Sequence, residues 1–223
     1  MIIEPVAYIK TDFPEKFGVP RQSGRVKELR ATIRFTEKYR SREALRGIEN
    51  FSHLWLIFDF SLSHIEAFSP TVRPPRLGGN KSVGVFASRS PFRPNSMGLS
   101  CVKLEKVEDT KDGTVLIVSG ADLVDGTPVY DIKPYIPYAD CIPDAKGSFA
   151  DENRSYALNV VFPDELLSLI PENKREALIG CLKEDPRPSY QNDSKRVYGM
   201  KFDAYNIRFK VEDKTLVVIC VEK

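Results

Sequence analysis

A mainly β protein is predicted here: a single-sheet antiparallel β-barrel followed by a small α+β C-terminal domain. Three observations carry this. Up to about residue 148, short runs rich in β-branched and aromatic residues alternate with Gly- and Pro-rich loops. Helical periodicity is nearly absent over the same span. After a polar, turn-rich stretch at 144–162, the pattern changes to helical segments and then a hairpin. The domains expected are therefore 1–148 and 163–223.

The elements follow in order. Val6-Ala7-Tyr8-Ile9 and Ala31-Thr32-Ile33-Arg34-Phe35 suit short strands, and Ser41 is placed to cap a short helix reaching Leu45. Leu54 to Phe60 is apolar on both faces, which predicts a central, largely buried strand. Val83–Phe86, Leu99–Leu104 and Val115–Ser119 are further strands. Asp164 to Ile170 reads as a short helix. Pro171 opens a second, which carries Leu178, Ile179 and Leu182 on one face and stops at Pro186 and Pro188. Ile207–Val211 and Leu216–Val221 flank a turn at Glu212-Asp213-Lys214 and form a hairpin.

Composition excludes several classes. With 223 residues, 42% hydrophobic and 29% charged, the chain is an ordinary globular one, not a disordered one. The net charge of +2 is uninformative, but its distribution is not. Between Ala67 and Leu104 there is no Asp or Glu, while Arg73, Arg76, Lys81, Arg89, Arg93 and Lys103 fall there. Such a run gives a positive potential suited to phosphate, unless acids elsewhere in the fold neutralise it. The four cysteines (Cys101, Cys141, Cys181, Cys220) have no zinc spacing and read as core thiols. No metal is expected. The first residues have neither a basic nor an apolar leader region, and no apolar run reaches membrane-spanning length; cytoplasm is the expectation.

General catalytic signatures are missing: there is no GxGxxG after a strand, no P-loop, no HExxH and no GxSxG. His53 and His64 are the only histidines, and His53, at a strand entrance, reads as structural. Four segments stand out instead. They are Lys16–Gln22, Arg73–Asn80, Arg89–Gly98 and Asp122–Tyr135, each dense in Pro or Gly. Proline fixes φ and glycine permits close backbone approach, so such loops can be rigid enough to hold a ligand. A single one would be only a barrel turn, whereas four together, three with arginines, point to a site.

These segments, with Phe51-Ser52-His53-Leu54-Trp55, closely resemble the TsaA-like family of tRNA methyltransferases. The likeness is nearly continuous from Pro5 to about Asp144. It continues in the tail at Asp185–Tyr190 and Phe202–Arg208, which are similar to the C-terminal domain of bacterial-type members. The resemblance implies an S-adenosylmethionine (SAM) dependent enzyme that methylates N6 of threonylcarbamoyl-adenosine beside the anticodon (position 37), mainly in threonine tRNA. It also implies a homodimer and a C-terminal domain that grips tRNA. The family's SAM contacts map onto Pro20, Arg21 and Gln22, the pair Ser61 and Leu62, Arg89, Leu99, and Asp125, Gly126, Thr127 and Pro128. Members often have His and then Gln or Lys where this chain has Ser61-Leu62, which leaves that contact to backbone or the serine hydroxyl. Their Pro-Ile-Gly is Ser96-Met97-Gly98 here.

Residue type assigns the roles. Arg21 or Arg89 suits the SAM carboxylate, and Asp125 suits its hydroxyls or ammonium. Methyl transfer needs nucleophile, carbon and sulfur in line, so positioning supplies most of the rate. Asp131, Tyr135 and Asn95 are the candidates for orienting N6 and taking its proton. Phe92 and Arg93, with Asn95, are expected to receive the flipped base. Arg187, Lys195, Arg196 and Lys201 are expected on tRNA phosphates. A non-catalytic RNA-binding barrel and a SAM-dependent methyltransferase of another substrate are the competing readings. The intact Asp125-Gly126-Thr127-Pro128 argues against the first, and the basic 187–201 stretch against a small substrate.

Overall fold

Alternating burial builds the first sheet. In the computed structural model, which describes residues 2–74, 81–152, 156–188 and 193–223, β1 (Ala7–Lys10), β2 (Arg30–Phe35) and β3 (His53–Asp59) turn every second side chain inward. β4 (Thr71–Val72) and β5 (Val83–Gly84) form a separate two-stranded ribbon. β6 (Met97–Thr110), β7 (Gly113–Ser119) and β8 (Thr127–Pro134) complete a closed antiparallel barrel in the order β1-β2-β7-β6-β3-β8. Closure removes the free edges that an open sheet would expose.

Most of the predicted strands form, with three corrections. The run at 54–60 is not buried on both sides: Leu54, Leu56 and Phe58 fill the barrel, while Trp55 and Ile57 are only half-buried on its outer face. Val83–Phe86 pairs for two residues only, and Val85–Ala87 is a 3-10 turn. Within the fourth loop segment, Thr127–Pro134 is in fact strand β8, which joins β1 to β3. The helix expected at Ser41 is a 3-10 turn over Arg42–Leu45, with the Ser41 hydroxyl accepting from the Glu43 N–H at 3.3 Å. The cysteines also differ from expectation: Cys181 is buried, but Cys141 is exposed in the chain beyond α1 (Pro137–Asp140).

The remaining elements are α2 (Phe149–Glu152), β9 (Asn159–Val161), α3 (Asp164–Leu167), α4 (Glu172–Lys183), β10 (Tyr198–Phe202), β11 (Tyr205–Glu212) and β12 (Thr215–Glu222). They form a four-stranded sheet ordered β10-β11-β12-β9, with β9 parallel to β12. α4 buries Ala177, Leu178, Cys181 and Leu182 against it.

Two apolar cores result. The barrel core runs from Ala7 and Ile9 through Leu56, Leu116 and Val118 to Val129. The second contains Leu178, Leu182, Met200, Phe202 and Phe209, together with Phe13, Val26 and Leu29 from the connection between β1 and β2.

Candidate functional site

Three chain segments converge beside β6. Arg89, on the loop before it, donates from Nη1 to Gln22 Oε1 at 2.5 Å. Ser23, the next residue, accepts from the Cys101 backbone N–H at 3.2 Å, and Gly24 N–H donates to the Gly120 carbonyl at 2.8 Å. Ser100 donates from its hydroxyl to Asp122 at 2.5 Å. The Ser23 backbone and the nearby Arg89 charge also favour ionised Asp122, but burial outweighs them and pushes its carboxyl up to about 6. Gln22 and Arg89 therefore meet beside Asp122, while Leu99 faces outward from β6 next to Ile57.

Asp122 was not singled out in the sequence, although it lies inside the fourth segment. No local motif marks it, since its hydroxyl partner Ser100 lies 22 residues away in sequence. His64 has a carboxylate partner that no sequence motif marks. Its Nε2 lies 2.8 and 3.0 Å from the Asp59 carboxylate oxygens, just beyond the Ser61-Leu62 turn.

The Asp125-Gly126-Thr127-Pro128 segment is a tight turn leading into β8. Gly126 takes φ +75°, which a side chain disfavours, and Thr127 Oγ1 donates to the Val124 carbonyl at 2.7 Å. The exposed Asp125 accepts the Thr11 N–H on Oδ1 at 2.8 Å, and its own N–H donates to the Phe13 carbonyl. Asp125 is thus tied to the end of β1. Ser61 and Leu62 are exposed; Lys16 Nζ donates to the Leu62 carbonyl at 2.9 Å and lies over the Phe92 ring at 5.9 Å. Leu99 pairs with Ile57 on the outer barrel face and is 55% exposed. Pro20 is buried. Arg21 donates to the Arg187 carbonyl at 2.9 Å.

The residues expected around the target base are spread more widely. Phe92 and Asn95 are exposed, whereas Arg93 braces its own loop by donating to the Ser88 and Ser90 carbonyls at 3.1 and 3.3 Å. Asp131 accepts the Ile132 N–H and pairs with Lys133 at 2.9 Å. Tyr135 packs on Trp55 and His53, and desolvation, with Cys141 and Asp140 nearby, raises its phenol pKa. Tyr135 therefore stays a neutral donor near pH 7.

The C-terminal cations divide. Lys195, Arg196 and Lys201 are exposed, with Arg196 over the Tyr198 ring at 5.3 Å and Lys201 3.6 Å from Glu15. Arg187 is only 6% exposed and forks onto Asp185 at 2.8 and 3.0 Å. It is committed to an internal ion pair, in contrast to the phosphate contact expected of it; the Pro186-Arg187-Pro188 context marks a turn but not its burial. Of the acid-free run, Arg76 lies outside the described residues, as do residues 75–80 of the second segment and residues 189–190 of the tail motif. Among the described residues no group of three metal-ligating side chains occurs.

Both parts of the chain resemble known proteins. Residues 8–141 match the tRNA-methyltransferase O N-terminal domain, and residues 155–223 match the TrmO C-terminal domain. The tRNA (adenine(37)-N6)-methyltransferase of Escherichia coli is 40% identical, covering 98% of this chain and 97% of the relative. That of Eikenella corrodens is 46% identical over 73% of this chain and 92% of its own. A crystal structure of TrmO from Pseudomonas aeruginosa superposes with a TM-score of 0.79 at 32% identity, covering 100% of this chain and 99% of that one. With both halves matched in order and the barrel and appended sheet recurring together, this chain belongs to the tRNA-methyltransferase O family.

Proposed function

We infer that the chain methylates N6 of threonylcarbamoyl-adenosine at position 37, beside the anticodon, chiefly in threonine tRNA. It is a SAM-dependent tRNA (adenine-N6)-methyltransferase. The observation that supports the cofactor site is the meeting of Gln22 with Arg89 beside Asp122.

The residues suit the cofactor. Arg89 is exposed and uses one guanidinium nitrogen on Gln22, which leaves donors for a carboxylate. Asp125 is exposed with Oδ1 engaged by Thr11, so its other oxygen can accept from a hydroxyl or ammonium. Leu62 and Leu99 supply exposed apolar surface for an adenine face. When bound, SAM supplies a methyl carbon made electrophilic by its sulfonium. The protein's own task is then to hold N6 and relieve it of a proton. Asp131, beside Ile57 on the barrel wall, is the carboxylate suited to take that proton; Tyr135 and Asn95, at opposite ends of β3, are alternatives for orienting the base. Phe92 offers an exposed ring for the flipped base, and Lys195, Arg196 and Lys201 offer cations for the anticodon-arm phosphates. Met97, exposed on the outer wall opposite Asp59, suits burial against a second copy in the homodimer that this reading includes. No helix among the described residues is long and apolar enough to cross a membrane, in keeping with work on cytoplasmic tRNA.

The test is to incubate the protein with methyl-labelled SAM and total tRNA from a strain lacking the activity. Digestion and mass spectrometry should find the label on threonylcarbamoyl-adenosine. Label on another nucleoside would refute the assigned substrate.

A further inference from the structure

The segment carrying Pro20, Arg21 and Gln22 belongs in sequence to the barrel, since it joins β1 to β2, yet its apolar residues do not pack there. Phe13, Val26 and Leu29 are 0, 2 and 3% exposed within the core of the C-terminal unit. Phe13 meets Phe202 edge to face at 5.6 Å. Gly18, at φ +96°, lies so close to the Met200 thioether that a β-carbon would collide with it.

Polar contacts follow the same course. The Asp203 N–H donates to the Asp12 carbonyl at 2.7 Å, and Lys174 Nζ bridges the Asp12 and Asp203 carboxylates at 2.7 Å each. Arg25 forks onto Glu184 at 3.0 and 2.8 Å, and Arg21 reaches the Arg187 carbonyl. On the barrel side, the connection between Pro20 and Arg25 is held by the Ser23 and Gly24 hydrogen bonds already described. Gln22 and Arg89 therefore meet on a connection whose apolar anchors are all in the other core. A connection of this length without helix or strand loses considerable conformational entropy on ordering, and burial of those anchors is what offsets it.

We propose that the C-terminal unit is a positioning part of the cofactor site: its core fixes residues 13–29 and so sets Gln22 against Arg89. The proposal rests on the reading of Pro20–Gln22 as cofactor-binding.

The test uses the full chain and titration with S-adenosylhomocysteine. Met200→Ala removes the side chain packed on Gly18, and Glu184→Gln weakens the fork to Arg25; neither residue is assigned to the ligand. Each should lower affinity, about tenfold for Met200→Ala, and speed amide exchange across 13–29. The fluorescence of Trp55, the only tryptophan and a barrel residue, should stay native. Met200→Leu should restore affinity, being close in volume. Unchanged affinity in both Met200→Ala and Glu184→Gln overturns the proposal. Gln22→Ala separates the two ideas. If it too leaves affinity unchanged, the cofactor reading of the segment fails; if it alone weakens binding, only the positioning role does.

Discussion

The barrel and the C-terminal unit solve the same problem differently. The barrel closes its sheet on itself, and among the described residues its core draws nothing from beyond Ile132. The C-terminal unit has one open four-stranded sheet and one helix of substantial length, too little to cover both, and it takes Phe13, Val26 and Leu29 from the other end of the chain. A small unit gains most from borrowed apolar surface because its own surface-to-volume ratio is unfavourable. Packing boundaries and sequence boundaries thus part company here, and the borrowed segment is the one with the cofactor motif.

The sharpest way to break that comparison is Phe13→Ala. If Phe13 serves the second core, its loss should cost about 3–5 kcal/mol, as for a buried aromatic. Thermal unfolding of Phe13→Ala, Phe202→Ala and the double variant should show coupling, since the rings touch at 5.6 Å. A loss under about 1 kcal/mol for Phe13→Ala would mean that the C-terminal unit does not depend on its borrowed anchor.

How much of this was legible in the sequence follows from the same contrast. β1 and β2 announce themselves because a half-buried wall imposes alternation, and β3 and β7 because they are continuous apolar, β-rich runs. β8 does not, because Pro128 and Pro134 within it read as loop; a proline removes a ladder donor, yet Pro128 still pairs opposite Tyr8. β9 is hidden in a polar stretch because only Val160 and its neighbours mark it. The anchors Phe13, Val26 and Leu29 have no periodicity at all, so only tertiary contacts reveal them. In the site, Gln22 and Arg89 were readable as motif positions. Burial of Arg187 and the partnership of Asp122 with Ser100 were not, since both depend on which segments meet.

A second difference concerns charge. In the C-terminal unit the buried Asp185 is paired with Arg187, which holds its carboxyl below the ordinary range despite burial. At the barrel site, burial prevails and Asp122 rises from the ordinary 3.8 to about 6. The native state therefore keeps this proton where the unfolded chain has released it. Stability from Asp122 is full below pH 3.8 and is lost as pH rises through about 6. At ~1.4 kcal/mol per unit the upper bound is about 3 kcal/mol. Asp122→Asn should flatten stability between these pH values in denaturant titrations. A slope equal to that of the parent would show that Asp122 is not the titrating group.

Arg89 and Asp125 sharpen the distinction between holding a ligand and holding the fold. Arg89→Ala should weaken S-adenosylhomocysteine binding by about 1.5–3 kcal/mol, the range for hydrogen bonds to charged groups, with little change in melting temperature. Asp125→Ala should weaken binding similarly but also lower stability, because its carboxylate caps the Thr11 N–H. Calorimetry and thermal melts on the same samples separate the two. Equal stability losses in both variants would make Arg89 a structural residue as well.

The smallest effect belongs to the exposed cations of the C-terminal unit. Lys195 and Arg196 stand outside its core, and neither has a carboxylate within ion-pair reach among the described residues, whereas Lys201 has Glu15 nearby. An exposed cation contributes to RNA binding mainly by releasing counterions, so its loss should appear in the salt dependence of affinity. Neutralising both as Lys195→Gln and Arg196→Gln should lower the magnitude of the log–log salt slope by roughly 0.7–0.9 per phosphate contact removed. S-adenosylhomocysteine affinity should stay unchanged, because neither side chain touches the 13–29 segment that Met200 and Glu184 support. Arg187→Gln should do the reverse. Its guanidinium is buried on Asp185 and its carbonyl holds Arg21, so its loss should destabilise the unit and disturb the cofactor segment without a clean change in salt slope. Filter binding across a salt series, beside calorimetry with S-adenosylhomocysteine, compares the two on one scale. An unchanged slope in the Lys195→Gln, Arg196→Gln variant, with affinity intact, would place the phosphate contacts on the barrel loops instead.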